Sequence, residues 1–222
     1  MIDSISKPIR LAALTFLLML PGIVGSQESN FGNWLVYFGN KQFNQKWNLH
    51  HEVQYRNYNF IGDLEQLLLR TGLGYTFSEN KNNILLGYGY ILSENYNQDN
   101  SSKTSASEHR IFQQFITKQS INSLSLTHRY RFEQRFVEDD FKMRFRYFLS
   151  LNYPLDKKDL LYLSAYNEIF LNTQSPVFDR NRLYGGLGFK ITSNLKFELG
   201  YMNQFFENSS RDQLNMMVFY NF

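Results

Sequence analysis

Residues 124–136 read LSLTHRYRFEQRF, a stretch in which apolar or aromatic side chains largely alternate with polar ones. Tyr130 and Phe132 share one parity, whereas Arg131 and Glu133 share the other. Successive side chains of a strand point to opposite faces, whereas a helix would distribute these charges around its axis. The period of two therefore predicts a β-strand with one apolar face and one charged face.

The same period continues from about residue 31 to the end of the chain and defines eleven candidate strands. Many of them exceed the usual ~5–6 residues of a globular strand and match the ~9–11 residues that a tilted strand needs to cross a bilayer. Short connections alternate with longer ones rich in Asp, Ser and Asn, an arrangement typical of outer-membrane barrels. Ten candidates are clear, over residues 46–57, 66–77, 83–95, 108–118, 124–136, 142–153, 159–172, 181–191, 194–206 and 213–222, and a weaker one covers residues 32–39.

An odd count conflicts with the even strand numbers of single-chain bacterial barrels. Either residues 32–39 do not span the membrane, which leaves ten strands, or a further strand near the N-terminus brings the number to twelve. We therefore predict an all-β fold, a closed antiparallel transmembrane β-barrel of about ten to twelve strands. A secreted, soluble β-barrel binder is the alternative, because its strands would show the same period of two.

The composition limits the chemistry that the chain can carry. It has 222 residues, enough for one domain, and no cysteine, which excludes disulfides, thiolate catalysis and cysteine-ligated metals. The net charge of +3 gives no indication of a nucleic-acid partner. The sequence contains no metal-binding spacing, phosphate loop or dinucleotide fingerprint, so we predict no cofactor and no metal site. Aromatic residues make up 17% of the chain, an excess that suits barrels with aromatic girdles at the membrane interfaces.

The N-terminus has the pattern of a secretory signal peptide. Lys7 and Arg10 precede the apolar residues 11–20, which are too few for the ~20 that a membrane-spanning helix needs. Helix breakers and small residues follow, as a signal peptidase requires. We therefore predict a cleaved signal peptide over residues 1–26 and a single barrel domain over residues 27–222.

The C-terminus alternates in the same way and ends in two aromatic residues of one parity, Tyr220 and Phe222. This ending resembles the signal by which outer-membrane proteins are recognised for insertion. It predicts a location in the outer membrane of a Gram-negative bacterium, with membrane lipid and the insertion machinery as partners.

The charged faces line the lumen of the barrel if the apolar faces contact lipid. Folding the hairpin around residues 137–141 places Glu133 opposite Arg144 or Arg146, depending on the register. One interpretation is an interior filled with ion pairs, since small barrels are usually filled by side chains. The other is an anion-attracting constriction, because Arg outnumbers Glu on this hairpin. The predicted polar cluster comprises Arg129, Arg131, Glu133, Arg135, Arg144, Arg146, Glu168 and Arg182.

Glycines form a second pattern on the predicted inner face, where hairpins would place them opposite one another. Glycine weakens a strand unless the sheet bends or another group occupies the space. We therefore expect a sharply curved corner or a bare patch that receives large side chains, with a ligand groove as the alternative. The predicted pairs are Gly74 with Gly87, Gly72 with Gly89, and Gly186 with Gly200.

The histidines bear on whether the chain is an enzyme, because some outer-membrane barrels carry a Ser, a His and a carboxylate near the rim. His128 falls on the predicted lipid face, and His50 and His51 lie beside a predicted interface. Neither these three nor His109 shares a face with both a Ser and a carboxylate when residues are assigned to the two faces by their alternation. We therefore predict no catalytic residues, and a rim-located lipid-modifying enzyme is the alternative.

Four segments carry a family resemblance. They are residues 108–114 (EHRIFQQ), 128–136 (HRYRFEQRF), 167–170 (NEIF) and 181–188 (NRLYGGLG). They resemble an uncharacterised bacterial family known as domain of unknown function 2490, which is regarded as a family of outer-membrane β-barrels. The resemblance extends from Trp34 to Phe222 and implies fold and location, but no substrate.

The residues and the resemblance together favour a non-enzymatic outer-membrane barrel. It would be either a structural or interaction barrel, or a narrow pore with a lumen lined by Arg and Glu.

Overall fold

A computed structural model describes residues 31–79, 81–97 and 101–222. Within these ranges the chain forms eleven β-strands and no helix. None of the described segments is a helix that could cross a membrane. The predicted signal peptide, together with the predicted start of the barrel domain, lies outside the described residues.

The strands form one closed barrel, which confirms the predicted all-β fold. Strands adjacent in sequence are also adjacent in the barrel, and they pair in antiparallel fashion. In chain order the strands are β1 (Phe31–Gln42), β2 (Trp47–Asn57), β3 (Leu64–Phe77), β4 (Asn82–Tyr96), β5 (Lys103–Ile121), β6 (Leu124–Val137), β7 (Asp140–Pro154), β8 (Leu161–Asn172), β9 (Phe178–Lys190), β10 (Leu195–Phe205) and β11 (Ser210–Asn221).

The barrel closes through a parallel pair of strands. β1 is antiparallel to β2 but parallel to β11, with Asn33 opposite Leu214 and Gly39 opposite Tyr220 across the closing pair. With an odd number of up-and-down strands, the first and last described strands run in the same direction and can pair only in parallel. The weak segment at residues 32–39 is therefore a true strand. The expectation that the count must be ten or twelve, with antiparallel pairing throughout, is wrong for the described chain.

The end of the barrel that holds Phe31 is called the N-terminal rim, and the end that holds Phe222 is called the C-terminal rim. Connections of two to six residues occur at both ends, so the predicted alternation of short turns with longer loops is not observed among them. The N-terminal rim holds Phe31 and the connections at residues 58–63, 138–139, 173–177 and 206–209, and the C-terminal rim holds Phe222 and those at 43–46, 122–123, 155–160 and 191–194.

The two faces of the barrel wall differ sharply in polarity. On the outer face large apolar side chains are exposed, among them Leu86 at 61% and Phe145 at 54%. On the inner face Glu133 and Gln213 are fully buried at 0%. The interior is thus a polar and charged core, into which a smaller number of aromatic rings is packed.

One turn at the C-terminal rim allows a prediction about pH. The carboxylate of Asp156 accepts hydrogen bonds from the backbone N–H groups of Leu161 and Leu160, both at 2.8 Å. These bonds, that of Leu161 first, hold the pKa of Asp156 below its usual range. Because the folded pKa is depressed, the turn contributes stability above the usual Asp pKa of about 3.9, and this contribution is lost as the pH falls through the folded value.

We therefore expect the free energy of unfolding of Asp156→Asn to fall less steeply at low pH than that of the wild type. The measurement is the urea midpoint of wild type and variant from about pH 6 down to about pH 2, a range that extends well below the usual Asp pKa. Asp139→Asn, in the exposed turn between β6 and β7, is the matched control. If both variants follow the wild-type curve, Asp156 does not hold this turn.

Candidate functional site

Glu133 is the centre of the charged interior. It lies opposite Arg144 on the neighbouring strand, one of the two partners that the sequence allowed. Arg144 donates to Glu133 Oε2 from Nε at 3.1 Å and from Nη2 at 2.7 Å, while Arg146 Nη1 donates to Oε1 at 2.7 Å. Arg110 and Arg131 approach Oε1 at 3.6 and 3.7 Å. Four guanidinium groups therefore surround one buried carboxylate.

Glu168 is the second anion of this network. Its Oε1 accepts hydrogen bonds from Arg146 Nη2 at 2.6 Å and from Arg129 Nη2 at 2.7 Å, and Arg182 lies 3.8 Å from Oε2. Arg146 thus bridges Glu133 and Glu168. Such an arrangement fixes the positions of both carboxylates, because a planar guanidinium donates in a rigid fork.

Glu108 is a third anion, which the sequence analysis did not include. It binds Arg135 through two parallel hydrogen bonds of 2.8 and 2.9 Å, and Arg110 Nε donates to it at 2.7 Å. Glu108, Arg110 and Gln114 lie at alternate positions of β5, and this alternation could have assigned Glu108 and Arg110 to the inner face. The apolar Phe112, at the position between Arg110 and Gln114 on the same face, interrupted the polar pattern.

The network contains all eight residues of the predicted polar cluster. Five of the cluster's six arginines contact Glu133 or Glu168, and the sixth, Arg135, joins through Glu108 and Arg110. The eight are Arg129, Arg131, Glu133, Arg135, Arg144, Arg146, Glu168 and Arg182.

Aromatic rings separate the guanidinium groups. Trp34 packs against both Arg56 and Arg182, whose guanidinium carbons lie 3.7 and 4.7 Å from the centroid of its ring. Phe170 packs in the same way against Arg182 and Arg146, at 4.6 and 4.4 Å. Cations stacked on desolvated ring faces are stabilised by the ring quadrupole. The rings therefore let like charges lie close together where carboxylates are too few.

A cavity of about 1190 Å³ lies beside this network. Its wall reaches from the arginines Arg56 and Arg182 to residues of the C-terminal rim such as Lys46, Lys81 and Asn221. None of the described connections at the N-terminal rim contributes to its wall. We call this space the vestibule: it opens at the C-terminal rim and ends at the arginines.

The predicted glycine pairs are only partly correct. Gly186 does face Gly200, but Gly72 faces Gly87, so the predicted pairing of the other four glycines is wrong by two residues. Hairpin register follows from the geometry of the turn, which the sequence near residue 80 did not define. Gly74 pairs with Leu85 and not with Gly87, and Gly89 pairs with Arg70 and not with Gly72.

The inner-face glycines make room for aromatic rings. A Cβ atom at Gly87 would meet the ring of Phe112, and one at Gly200 would meet the ring of Tyr184. None of the six predicted glycines lines the vestibule wall. The bare patch therefore receives side chains of the barrel itself, and the vestibule lies elsewhere.

Gly186 offers a matched pair of glycine variants. A Cβ atom there would lie 2.7 Å from Leu199 O and 2.8 Å from the Cα atom of Gly200, both backbone atoms that cannot easily move. We expect Gly186→Ala to lower the free energy of unfolding by about 1–3 kcal/mol. At Gly185 nothing lies within 4 Å of a Cβ atom, so Gly185→Ala should leave it unchanged or raise it slightly. Equal urea midpoints for the two variants would contradict this assignment.

The histidines lie in three different environments. His50 faces the vestibule, 3.4 Å from Glu52, while His51 contacts Tyr37 and His109 contacts Tyr88. His128 bonds to Gln119 and Tyr147. A serine beside a histidine, which the hydrolase alternative requires, is not among these contacts in the described part of the chain. The described residues also include no cluster of three or more His, Asp or Glu that could hold a metal ion.

The C-terminal residues lie at the outer edge of the C-terminal rim. Phe222 is exposed, and its ring packs edge-on against Tyr220 with centroids 4.4 Å apart. Its backbone N–H donates to Asn40 O at 2.9 Å, which fastens the chain end to β1. Both aromatic rings are therefore held in place and accessible from outside.

A polar, ion-paired interior within a closed wall of exposed apolar side chains defines the class: a β-barrel with inverted polarity. A family model described as a protein of unknown function (DUF2490) matches residues 31–215, and the chain belongs to that family. The match runs from β1 into β11 and thus includes the whole charged network. A search of curated proteins finds no match.

Proposed function

We propose that this protein is an outer-membrane β-barrel of a Gram-negative bacterium, non-enzymatic, with a lumen closed to ion flow and a vestibule at one end. The observation that carries the proposal is the inverted polarity of the wall. Leu73, Leu86 and Leu163 are each about half exposed or more, while Glu133 is fully buried. An apolar outer surface that extends around the whole barrel is stable only in contact with lipid.

The distribution of aromatic residues supports the same proposal. Outward rings pair near the C-terminal rim, as in Trp47 with Tyr75, and near the N-terminal rim, as in Phe136 with Phe141. Membrane barrels carry such girdles at the two interfaces, where an aromatic ring contacts both lipid and headgroups. The part of the wall between the two girdles would then be the apolar band that contacts the lipid chains.

The orientation follows from the C-terminus if the insertion signal is correct. Tyr220 and Phe222 would be recognised in the periplasm, and the C-terminal rim with the vestibule would remain on that side. The N-terminal rim would then face the exterior. The partners of the protein are, on this proposal, outer-membrane lipid and the insertion machinery.

A narrow pore is the less favoured role. An ion crossing the barrel would have to pass Glu133 and the arginines around it, which are joined by direct hydrogen bonds. Opening a path would leave buried charges unpaired at a cost of several kcal/mol each. The network therefore acts as a septum between the vestibule and the N-terminal rim.

Three measurements test the proposal. Refolded mature protein should float with lipid vesicles in a density gradient and should migrate differently on gels with and without heating. In planar bilayers it should show no defined conductance steps. A protein that stays monomeric and folded in plain buffer would contradict the membrane location, and a discrete conductance would replace the closed barrel by a pore.

A further inference from the structure

We propose that the vestibule is a binding site for a small multivalent oxyanion, a molecule that bears two or more phosphate or carboxylate groups. This inference goes beyond the membrane location. Only the side from which the ligand enters, the periplasm, rests on the orientation proposed above. It differs from a pore, because the septum of arginines and glutamates closes the inner end of the vestibule.

The charge of the vestibule wall is the first observation. Ten Lys or Arg residues line it against four Glu, an excess of six cations. Lys46 and Lys81 lie at the mouth, and Arg131 and Arg182 lie at the inner end. Positive charge therefore runs the full depth of the space, and a cleft of one sign concentrates ions of the opposite sign. A neutral or cationic ligand gains nothing from this wall.

The second observation is that several buried arginines donate their hydrogen bonds to neutral amides and not to carboxylates. Arg131 donates from Nε to Gln114 at 2.9 Å, and its Nη1 makes no hydrogen bond. The nearest carboxylate, that of Glu133, is 3.7 Å from this atom and already accepts hydrogen bonds from two other arginines. Arg131 therefore donates its hydrogen bonds to a neutral amide, stacks on the ring of Phe112, and shares the carboxylate of Glu133 with three other arginines.

Arg56 and Arg182 repeat this arrangement. Arg56 donates to Gln54 and Gln66, both neutral. Arg182 donates to Gln204 at 2.7 Å, and its nearest carboxylate, that of Glu168, is 3.8 Å away and already accepts hydrogen bonds from two other arginines. For a purely structural interior this is costly, because buried charges are normally paired with opposite ones. All three arginines line the vestibule. A bound oxyanion would supply the missing negative charge at its inner end.

The chemistry of these groups defines the ligand class. A guanidinium fork matches the geometry of phosphate and carboxylate oxygens, and several forks at one site favour a ligand with more than one such group. The volume of about 1190 Å³ exceeds the usual ~300–1,000 Å³ of small-molecule pockets, so a multivalent ligand fits. Phosphate and carboxylate ligands share this recognition, and the experiment separates them.

The test is titration calorimetry of the refolded, full mature barrel in detergent, at low ionic strength and without phosphate or sulfate in the buffer. Pyrophosphate is the phosphate probe, citrate the carboxylate probe, and glucose the neutral control. We expect one saturable site for pyrophosphate or citrate, none for glucose, and weaker binding as salt is added. The stronger of the two anions identifies the preferred group.

Matched variants locate the site. Arg131→Gln should weaken binding about tenfold to hundredfold, as expected for the loss of hydrogen bonds to a charged group. Arg180→Gln removes the same charge at the N-terminal rim, outside the vestibule wall, and should leave binding unchanged. If Arg131→Gln does not fold, Lys196→Gln replaces it. Lys196 lines the wall and has no ion pair among the described residues, and its loss should weaken binding at least about threefold.

The possible results separate this inference from the proposed function. Absence of anion binding by the wild type, or equal binding by wild type and vestibule variants, would overturn the site while leaving flotation with vesicles unaffected. Conversely, anion binding by a protein that does not enter vesicles would retain the site and reject the membrane location.

Discussion

Glu133→Gln is expected to lower the free energy of unfolding by about 3–5 kcal/mol, the usual effect of removing one partner from a buried ion pair. The variant keeps the size of the side chain but removes the charge that Arg144 and Arg146 bond to directly. Arg110 and Arg131, at 3.6 and 3.7 Å, lose the same carboxylate. Four arginines would then remain near a neutral amide at a position where the carboxylate of Glu133 is fully buried.

The measurement is urea unfolding from detergent or vesicles, followed by tryptophan fluorescence. Trp34 reports on the interior, because it is buried and packs against two of the vestibule arginines. Glu207→Gln, in the exposed connection between β10 and β11, is the control and should change stability by no more than about 0.5 kcal/mol. An unchanged midpoint for Glu133→Gln would mean that water already solvates the arginines, and a hydrated channel would then be the better description.

Leu199→Arg is expected to lower the free energy of unfolding from vesicles by about 2–4 kcal/mol. Leu199 lies at the middle of β10 on the outer face, between Leu187 and Met216, and is 42% exposed. In lipid an arginine at the centre of the wall has to be removed from water, whereas an arginine on a surface in contact with water costs almost nothing. The size of the effect therefore distinguishes the two environments.

Ile61→Arg is the matched control for this substitution. Ile61 is 73% exposed in the connection between β2 and β3, beyond the strands, so the variant should unfold within about 0.5 kcal/mol of wild type. Similar small effects for both variants would show that the outer face of β10 contacts water, which would refute the membrane proposal.

The predicted function of the charged interior changes once its geometry is known. The sequence left a filled interior and an anion-attracting constriction as alternatives. On the proposal made above, the two occupy different parts of one lumen: ion pairs centred on Glu133 form the septum, and arginines that donate their hydrogen bonds to neutral amides, such as Arg131, line the vestibule.

The sequence by itself determined which residues face inwards. A strand places alternate side chains on opposite faces, so local order alone assigned Glu133, Arg144 and Glu168 to one side of the wall. The same order established the all-β fold and nearly all strand positions. It missed Glu108 and Arg110, because an aromatic residue on the same face interrupted the polar pattern.

Only the tertiary structure decided how these residues meet. Whether Gly72 faces Gly87 or Gly89 depends on the geometry of the turn between β3 and β4. A change of two residues in register keeps every side chain on its face, so the alternation of polar and apolar residues cannot distinguish the two registers. The parallel pairing of β1 with β11 depends on the strand number of the whole barrel, to which each strand contributes equally. The pairing of each arginine and the wall of the vestibule also bring together residues distant in sequence, and only the closed barrel places those residues next to one another.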